Sequence, residues 1–332
     1  MKVISIIALA ASCLFTTLAA AQQDVRIGNA TANDTQAAAN DKLAELITKY
    51  SNGKLKATAH HGSSLGTIAQ MVRALQAGSV HAMIFPAGFL SPVVPELAMF
   101  DMPFALPGAP AEITKFTAQS KAAELMKQRA LEKGIIIVAF HGIGPQSFLT
   151  KFPVAKLADL QGKKIRVIPS PPRIGAYQDW GAVARPMELG EVYTALQQGT
   201  IDGLENPPDV IYKMKLYEAA KYYTITEHFA FVSNLIYGKS WHDGLPADLK
   251  QAVDRAARET IPWTDDAYTK SQQESLEGMK KAVTVTTMPP AELARMKELA
   301  YKGVWKRMAA DPARGPVVKL LEEDVARYNG KK

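Results

Sequence analysis

A nine-residue pattern that occurs twice in the chain limits the folds that it can adopt. Residues 74–82 read A-L-Q-A-G-S-V-H-A, and residues 195–203 read A-L-Q-Q-G-T-I-D-G. Both have the pattern of a helix end, a glycine that stops the helix and a short strand. A Leu-Gly pair precedes each copy, at residues 65–66 and 189–190. We interpret the two copies as equivalent units of two lobes that face each other across a cleft.

Strand-like and helix-like segments alternate along the chain, which predicts an α/β architecture. The strand-like segments are short, at residues 25–28, 55–59, 79–85 and 135–140. Helical periodicity is found between them, at residues 43–50, 68–76 and 111–133. Because open α/β sheets bind ligands at the carboxyl ends of their strands, two facing lobes would place those ends around the shared cleft.

Residues 246–282 are almost all helix-forming. At ~1.5 Å per residue, such a helix is longer than one lobe is wide, so we expect it to brace both lobes. Proline cannot donate the helical hydrogen bond, which predicts a kink just before Pro262. A strand is predicted at residues 283–287, and further helices follow the prolines at 289–290. The predicted fold class is α/β, with two lobes, a hinge and a long bracing helix.

Residues 1–21 have the pattern of a secretory signal peptide. Lys2 is followed by a mostly apolar run and then by small residues at 19–21. An N-terminal membrane helix and lipidation at Cys13 are the alternatives, but the run is short for a span of ~20 residues. Cys13 is the only cysteine, so residues 22–332 have no disulfide and no thiolate metal ligand. We therefore predict a periplasmic protein with two domains.

The formal net charge of +7 is modest and scattered along the chain. Its lysine pairs lack interleaved aromatic residues, which argues against a nucleic-acid partner, whereas a mild positive field helps to gather anionic ligands. The histidines lack the spacing of metal ligands, because His60 and His61 are adjacent and would point to opposite faces of a strand. We expect neither a metal nor a cofactor.

Two polar side chains lie at predicted strand ends between residues 161 and 208. Arg166 falls within a short β-like run, and Asn206 follows a second short strand. A guanidinium fixed at a strand end can grip a planar anion with two hydrogen bonds, and an amide supplies both a donor and an acceptor. This pair predicts a site for a small carboxylate. Asn206 also precedes Pro207, so capping of the next helix is a compatible role.

The same segment closely resembles the solute-binding proteins of tripartite ATP-independent periplasmic (TRAP) transporters. It reads K-I-R-V-I-P at residues 164–169 and P-M-E-L-G-E-V-Y-T-A-L-Q-Q-G-T-I-D-G-L-E-N-P at residues 186–207. The family's runs are similar to K-I-R-V-P and P-M-x-x-x-E-V-Y-x-A-L-Q-x-G-x-V-D-G-Q-E-N-P. Shorter likenesses lie at residues 63–66, 75–78 and 231–234, and the resemblance extends over essentially all of residues 22–332.

The resemblance implies a two-lobed, periplasmic-binding-protein-like receptor that closes over a small organic acid and delivers it to membrane permease subunits. The family's main carboxylate-binding arginine falls on Arg166, and its ligand-contacting asparagine falls on Asn206. A hinge is expected near Gly142 and Phe231. By this likeness, the first lobe is residues 22–143 plus 232–271, and the second lobe is residues 144–231 plus 272–332.

Several positions depart from the family pattern and suggest a compact, partly apolar ligand. Gln146 stands where many members have a second ligand arginine, which points to a less charged ligand such as a monocarboxylate. Phe85 and Leu189 are expected to form an apolar wall of the pocket. Arg173, in the neighbouring turn, is a candidate replacement for the missing cation, and His228, near the crossover between the lobes, is a further candidate contact.

The main alternative function is that of a secreted serine hydrolase. Residues 62–66 read G-S-S-L-G, which matches the G-x-S-x-G nucleophile elbow with Ser64 as the nucleophile. The chain has no separate H-G-G-G-type oxyanion motif, and the resemblance accounts for the same residues as a tight turn. A receptor of an ATP-driven importer is a third possibility, against which residues 197–207 argue. We predict a non-enzymatic receptor that is a monomer, because no hydrophobic dimer seam is evident.

Overall fold

The structure, a computed structural model, describes residues 22–330, so the predicted signal peptide at residues 1–21 lies outside the described residues. Within that range, nine strands form one mixed sheet. The strands are β1 (Gln23–Gly28), β2 (Leu55–His60), β3 (Ala82–Pro86), β4 (Ile135–Thr150), β5 (Lys164–Val167), β6 (Val183–Pro186), β7 (Gly203–Asn206), β8 (Tyr222–Gly238) and β9 (Thr284–Thr287).

The helices pack around this sheet and, with it, confirm the predicted α/β class. They are α1 (Thr35–Tyr50), α2 (Ile68–Gln76), α3 (Pro110–Ala118), α4 (Lys121–Glu132), α5 (Pro171–Asp179), α6 (Val192–Gln197), α7 (Pro208–Lys213), α8 (Lys239–Gly244), α9 (Ala247–Lys280), α10 (Pro290–Ala300), α11 (Lys306–Ala310) and α12 (Gly315–Asn329). Among the described residues, no helix is both long and apolar enough to cross a lipid bilayer.

The order of the strands gives the sheet two similar halves. The order is β2-β1-β3-β8-β4-β7-β5-β6, with β9 paired to β8. In the first half, residues 23–134, β1 pairs in parallel with β2 and β3. In the second half, residues 151–221, β5 pairs in parallel with β6 and β7. The long antiparallel strands β4 and β8 lie between the halves and connect them.

The repeated sequence pattern occupies matching places in these halves. After α2, Gly78 has a φ of +80°, and after α6, Gly199 has a φ of +71°, a conformation that glycine adopts without a steric penalty. The carbonyl of Ala74 accepts hydrogen bonds from the backbone amides of Ser79 and Val80. The carbonyl of Ala195 accepts from those of Thr200 and Ile201 in the same way. Each turn leads to a strand, β3 or β7, that pairs with a connecting strand. The two copies are therefore structurally equivalent.

The connecting strands are irregular where the hinge is predicted. Gly142 pairs with Val232 and Gly144 pairs with Phe231, so the register of β4 against β8 shifts between these two pairs. Gly144 has a φ of +142°, a backbone conformation that residues other than glycine rarely adopt. A residue inserted into one strand of an antiparallel pair bends the strand and interrupts the hydrogen-bond ladder. The sheet is therefore irregular at this point, and β4 also shifts register against β8 between Ile137 and Ala139 and between Gln146 and Phe148.

Helix α9 contacts both halves, as expected for a bracing helix. Asp265 accepts a hydrogen bond of 2.6 Å from Thr114 Oγ1 in α3 of the first half. Gln272 accepts from the backbone N–H of Asp209 in α7 at 3.1 Å and donates to the carbonyl of Ile143 in β4 at 2.9 Å. The helix continues through Pro262, and the predicted kink there stays a prediction.

Several predicted elements have different bounds in the structure: β3 begins at Ala82 rather than at residue 79, and two other differences are larger. The helix expected over residues 111–133 is two helices, α3 and α4, because Ser120 caps a new helix by accepting from the N–H of Ala123. The strand expected at residues 135–140 extends to Thr150, since β4 continues into the second half.

Helices α10 to α12, taken together, also contact both halves. Asp324 in α12 accepts a hydrogen bond from Ser120 of the first half, and Trp180 of the second half donates to the carbonyl of Met296 in α10.

Candidate ligand-binding site

A cavity of about 220 Å³ lies between the two halves of the molecule. The first half contributes the loops that follow β1, β2 and β3, and the second half contributes β5, the turn after β6 and the end of β7. Its walls come from Ala30, Thr31, Asp34, Gln36, Ser63, Thr67, Ile68, Pro86, Phe89, Ile143, Arg166, Ile168, Glu188, Leu189, Gly190, Glu191, Asn206, Val210, Phe231 and Tyr268. The carboxyl ends of the parallel strands thus meet around it, as the alternation of strands and helices predicts.

Arg166 lines this cavity from β5 and is only 2% exposed. Its Nε and Nη2 atoms donate to the carbonyl of Met187 at 3.0 and 2.8 Å, which fixes the plane of the guanidinium. Its Nη1 atom makes no hydrogen bond, and the side chain no ion pair, with any residue that the structure describes. Burial lowers the pKa of Arg166 to about 10, and the charge of Glu205 partly offsets this. Arg166 therefore keeps its charge at neutral pH and has a free donor edge.

Asn206, the last residue of β7, also lines the cavity and is 2% exposed. Its Nδ2 atom is buried and has no hydrogen-bond partner among the described residues. A buried donor without a partner costs about 1–3 kcal/mol, so a ligand acceptor at this position would be stabilising. The capping role is not observed, because Pro207 occupies the N-cap position of α7 and no side chain caps that helix.

Leu189 is the third sequence-predicted residue in the cavity wall. Most of the remaining apolar wall was not predicted. Phe89 follows β3, Ile168 follows β5, Ile143 and Phe231 belong to the two connecting strands, and Tyr268 comes from the middle of α9. Only the fold brings together residues that are so far apart in sequence, and no local pattern marks them.

Arg173 and Gln146 do not line the cavity. Arg173 is fully buried and donates to Asp101 Oδ1 from Nε and Nη2, at 2.9 and 2.8 Å, and to Glu205 Oε1 from Nη1, at 2.8 Å. The same Nη1 donates to Gln146 Oε1. Burial alone lowers the pKa of Arg173, but the two carboxylates outweigh burial and raise it. Because two acids already neutralise this guanidinium, it does not replace the second ligand arginine.

His228 and Phe85 are also placed outside the cavity wall. His228 is fully buried; its Nδ1 contacts Thr226 Oγ1 at 2.6 Å and its Nε2 contacts Tyr177 Oη at 3.2 Å. Burial holds the pKa of His228 well below its usual value, so the ring is neutral. Phe85 is fully buried in the core, and its neighbour Pro86 reaches the cavity instead. Gln146, Arg173, His228 and Phe85 are therefore core residues.

The serine hydrolase has no structural support. Ser64 lies exposed in the turn between β2 and α2, and its neighbour Ser63, not Ser64, reaches the cavity. The hydroxyl of Ser64 makes no hydrogen bond with a histidine that the structure describes, whereas a nucleophilic serine requires an adjacent base. The nearby His61 instead contacts Asp41 and Asn29. Within residues 22–330, no group of three or more histidine, cysteine or acidic side chains is placed to hold a metal ion.

Comparisons with known proteins agree on one family. The model of bacterial extracellular solute-binding protein family 7 matches residues 28–311. The 2,3-diketo-L-gulonate-binding periplasmic protein of Escherichia coli K12 is 30% identical over 270 residues, which is 81% of this chain and 82% of that protein. The C4-dicarboxylate-binding periplasmic protein of Rhodobacter capsulatus is 30% identical over 244 residues, 73% of each chain. Both relatives are named as periplasmic binding proteins.

A solved structure shows the same architecture. A TRAP periplasmic solute-binding protein from Desulfovibrio salexigens, with bound orotic acid, superposes with a TM-score of 0.86 at 30% identity and covers 92% of this chain and 99% of its own. Such proteins have the two-lobed fold that was predicted. The chain therefore belongs to bacterial extracellular solute-binding protein family 7, the periplasmic solute-binding proteins of TRAP transporters.

Proposed function

We propose that this protein captures a small organic acid in the cavity between its halves and delivers it to the membrane permease subunits of a TRAP transporter. One observation carries the proposal: a buried guanidinium without an ion pair among the described residues lies in the same cavity as a buried amide nitrogen without a partner. A carboxylate satisfies both groups at once, through the free edge of Arg166 and through Asn206 Nδ2.

The size and lining of the cavity favour a compact acid with an apolar part. A volume of about 220 Å³ suits a small molecule, and Leu189, Phe89, Ile168 and Val210 present apolar surface to it. Relatives provide a precedent for this class. The Desulfovibrio structure contains orotic acid, and a Bordetella structure, at 28% identity and a TM-score of 0.82, contains density assigned to pantoate.

Capture would involve closure of two lobes about the irregular part of β4 and β8. We place the lobe boundaries at residues 22–143 plus 232–271 and 144–231 plus 272–332, with the hinge near Gly142 and Phe231. The register shift between Gly142 and Gly144 supports this position, because the strands are already interrupted there. A ligand favours the closed state only by binding it more tightly than the open one, and contacts from both lobes provide that difference. The monomeric state and the periplasmic location are part of this proposal.

A thermal-shift screen against a panel of small organic acids, followed by Arg166→Ala, tests the function. We expect at least one acid to raise the melting temperature, and Arg166→Ala to abolish that shift, because an unpaired buried ligand charge costs on the order of 3–5 kcal/mol. That loss would convert micromolar binding into millimolar or weaker binding.

Arg185→Ala is the matched control. Arg185 lies beside Arg166 in the β5–β6 register, but its side chain is exposed and does not line the cavity. Arg185→Ala removes the same charge as Arg166→Ala and should leave the ligand-induced rise in melting temperature intact. A ligand shift that survives Arg166→Ala, or that Arg185→Ala abolishes equally, would refute the proposed site.

A further inference from the structure

The charges around the cavity do not match a simple anion. Arg166 is the one basic side chain among the described residues that line it, whereas three acidic side chains, Asp34, Glu188 and Glu191, line it as well. A like charge in a partly desolvated site repels an anionic ligand, and this repulsion is stronger there than in water. A ligand that carries only negative charge would therefore meet one favourable charge and two unfavourable charges in the less exposed part of the wall, those of Asp34 and Glu188. Glu191 is exposed and belongs to the family pattern, so it does not distinguish this cavity.

Asp34 lies in the part of the cavity wall that the first half contributes, whereas Arg166 lies in the part that the second half contributes. It is 4% exposed and caps α1, with Oδ1 accepting from the N–H of Ala37 and from Thr31 Oγ1, both at 2.8 Å. Its Oδ2 atom accepts no hydrogen bond from any residue described in the structure. Burial raises the pKa of Asp34 to about 6, with the nearby charge of Asp209 adding to the effect and Lys213 opposing it. The carboxylate is thus a poorly neutralised anion in the cavity wall.

Glu188 and Glu191 flank Leu189 in the turn after β6, in the second half. Neither side chain forms an ion pair or a hydrogen bond with another described residue. Burial raises the pKa of Glu188, and the proximity of Arg166 only partly counteracts this. The cavity therefore has unpaired negative charge on both sides.

Aromatic rings add to the surroundings that a cation would prefer. Phe89 and Tyr268 line the cavity from the first half and from α9. Phe231 lines it from a connecting strand, and the guanidinium of Arg173 already lies 5.5 Å from the centre of that ring. The face of an aromatic ring attracts an ammonium group, and the attraction is larger when the cation is desolvated. We propose that the ligand is a zwitterion, whose carboxylate binds Arg166 and Asn206 and whose cationic nitrogen faces Asp34 and these rings. This inference rests on the proposed function and narrows its class of ligand.

Matched ligand pairs that differ only in the cationic nitrogen test it directly. Suitable pairs are glycine betaine with 3,3-dimethylbutyrate, 4-aminobutyrate with pentanoate, and pipecolate with cyclohexanecarboxylate. Thermal shifts at pH 7.5 would be measured for the protein and for Asp34→Asn, a variant that can keep the helix cap because asparagine also caps well. We expect at least one zwitterion to stabilise the protein more than its carbon isostere. We also expect Asp34→Asn to lower the affinity for that zwitterion about tenfold or more.

Asp24→Asn is the control for the loss of one negative charge, because Asp24 is exposed on β1 and does not line the cavity. Equal or greater stabilisation by the carbon isosteres, or no stabilisation by any zwitterion, would overturn the inference. If simple acids bind in an Arg166-dependent manner, the proposed function stands and only the zwitterion is wrong. If no acid of either kind binds, both proposals fail.

Discussion

Arg166 and Arg173 show how partners decide the role of a buried charge. Both guanidinium groups are almost completely buried. Arg173 is paired with Asp101 and Glu205, and the rings of Phe229 and Phe231 lie 4.5 and 5.5 Å from its central carbon. Arg166 binds only a backbone carbonyl within the described residues. A buried charge needs a counter-ion, so Arg173 stabilises the fold and Arg166 is available for a ligand.

This difference predicts that the same substitution has different effects at the two positions. Arg173→Met should lower the free energy of unfolding by about 3–5 kcal/mol, because it leaves the carboxylates of Asp101 and Glu205 buried without their cation. Arg166→Met should lower the free energy of unfolding clearly less, because it leaves only the carbonyl of Met187 without its hydrogen bonds. It should nevertheless abolish ligand binding. Urea denaturation and ligand-induced thermal shifts measure the two properties. A larger loss of stability from Arg166→Met than from Arg173→Met would contradict this division of roles.

Local sequence patterns predict those features of the helices and strands that depend on local forces, such as where a helix ends. The glycine stops after α2 and α6 were predictable because left-handed backbone favours glycine, and the equivalence of the two copies follows from them. The break between α3 and α4 was missed, although Ser120 is a good capping residue, because the helical periodicity continues through it. Arg166, Asn206 and Leu189 were placed by their family motif. Asp34, Phe89 and Tyr268 were not, because only long-range packing brings them to the cavity.

The serine between α3 and α4 should therefore matter more than a surface serine. Ser120 Oγ accepts from the N–H of Ala123 at 2.9 Å and donates to Asp324 Oδ2 at 2.6 Å, so it caps α4 and ties it to α12. Ser120→Ala should lower the free energy of unfolding by about 1–2 kcal/mol, as the loss of an N-cap does elsewhere. Thermal or urea denaturation measures this, with Ser64→Ala in the exposed turn as a control that should change little. Equal stability of the two variants would show that the break has another cause.

A cluster of buried polar contacts joins the two halves of the protein. Asp209, in α7 of the second half, is fully buried. It accepts hydrogen bonds from Thr35 Oγ1 in the first half at 3.1 Å and from Ser271 in α9. Lys213 Nζ lies 2.9 Å from Asp209 Oδ1 and donates to Thr35 Oγ1 at 3.0 Å, so it also bridges the halves. If the lobes separate, the contacts to Thr35 must break.

Substitution of Asp209 should consequently shorten the time that a ligand stays bound. Hydrogen bonds to a charged group contribute about 1.5–3 kcal/mol, and each 1.4 kcal/mol corresponds to a tenfold change in rate or affinity. Asp209→Asn, which weakens contacts made only when the halves meet, should raise the dissociation rate of the ligand at least about tenfold and increase the radius of gyration of the unliganded protein in X-ray scattering. Asp202→Asn is the matched control, because Asp202 Oδ2 accepts from the N–H of Lys164 within the second half alone. The dissociation rate could be unchanged in Asp209→Asn, or Asp202→Asn could raise it equally. Either result would mean that the Thr35–Asp209–Lys213 contacts do not hold the closed form together. The ligand and the irregular strands β4 and β8 would then alone determine how the lobes move.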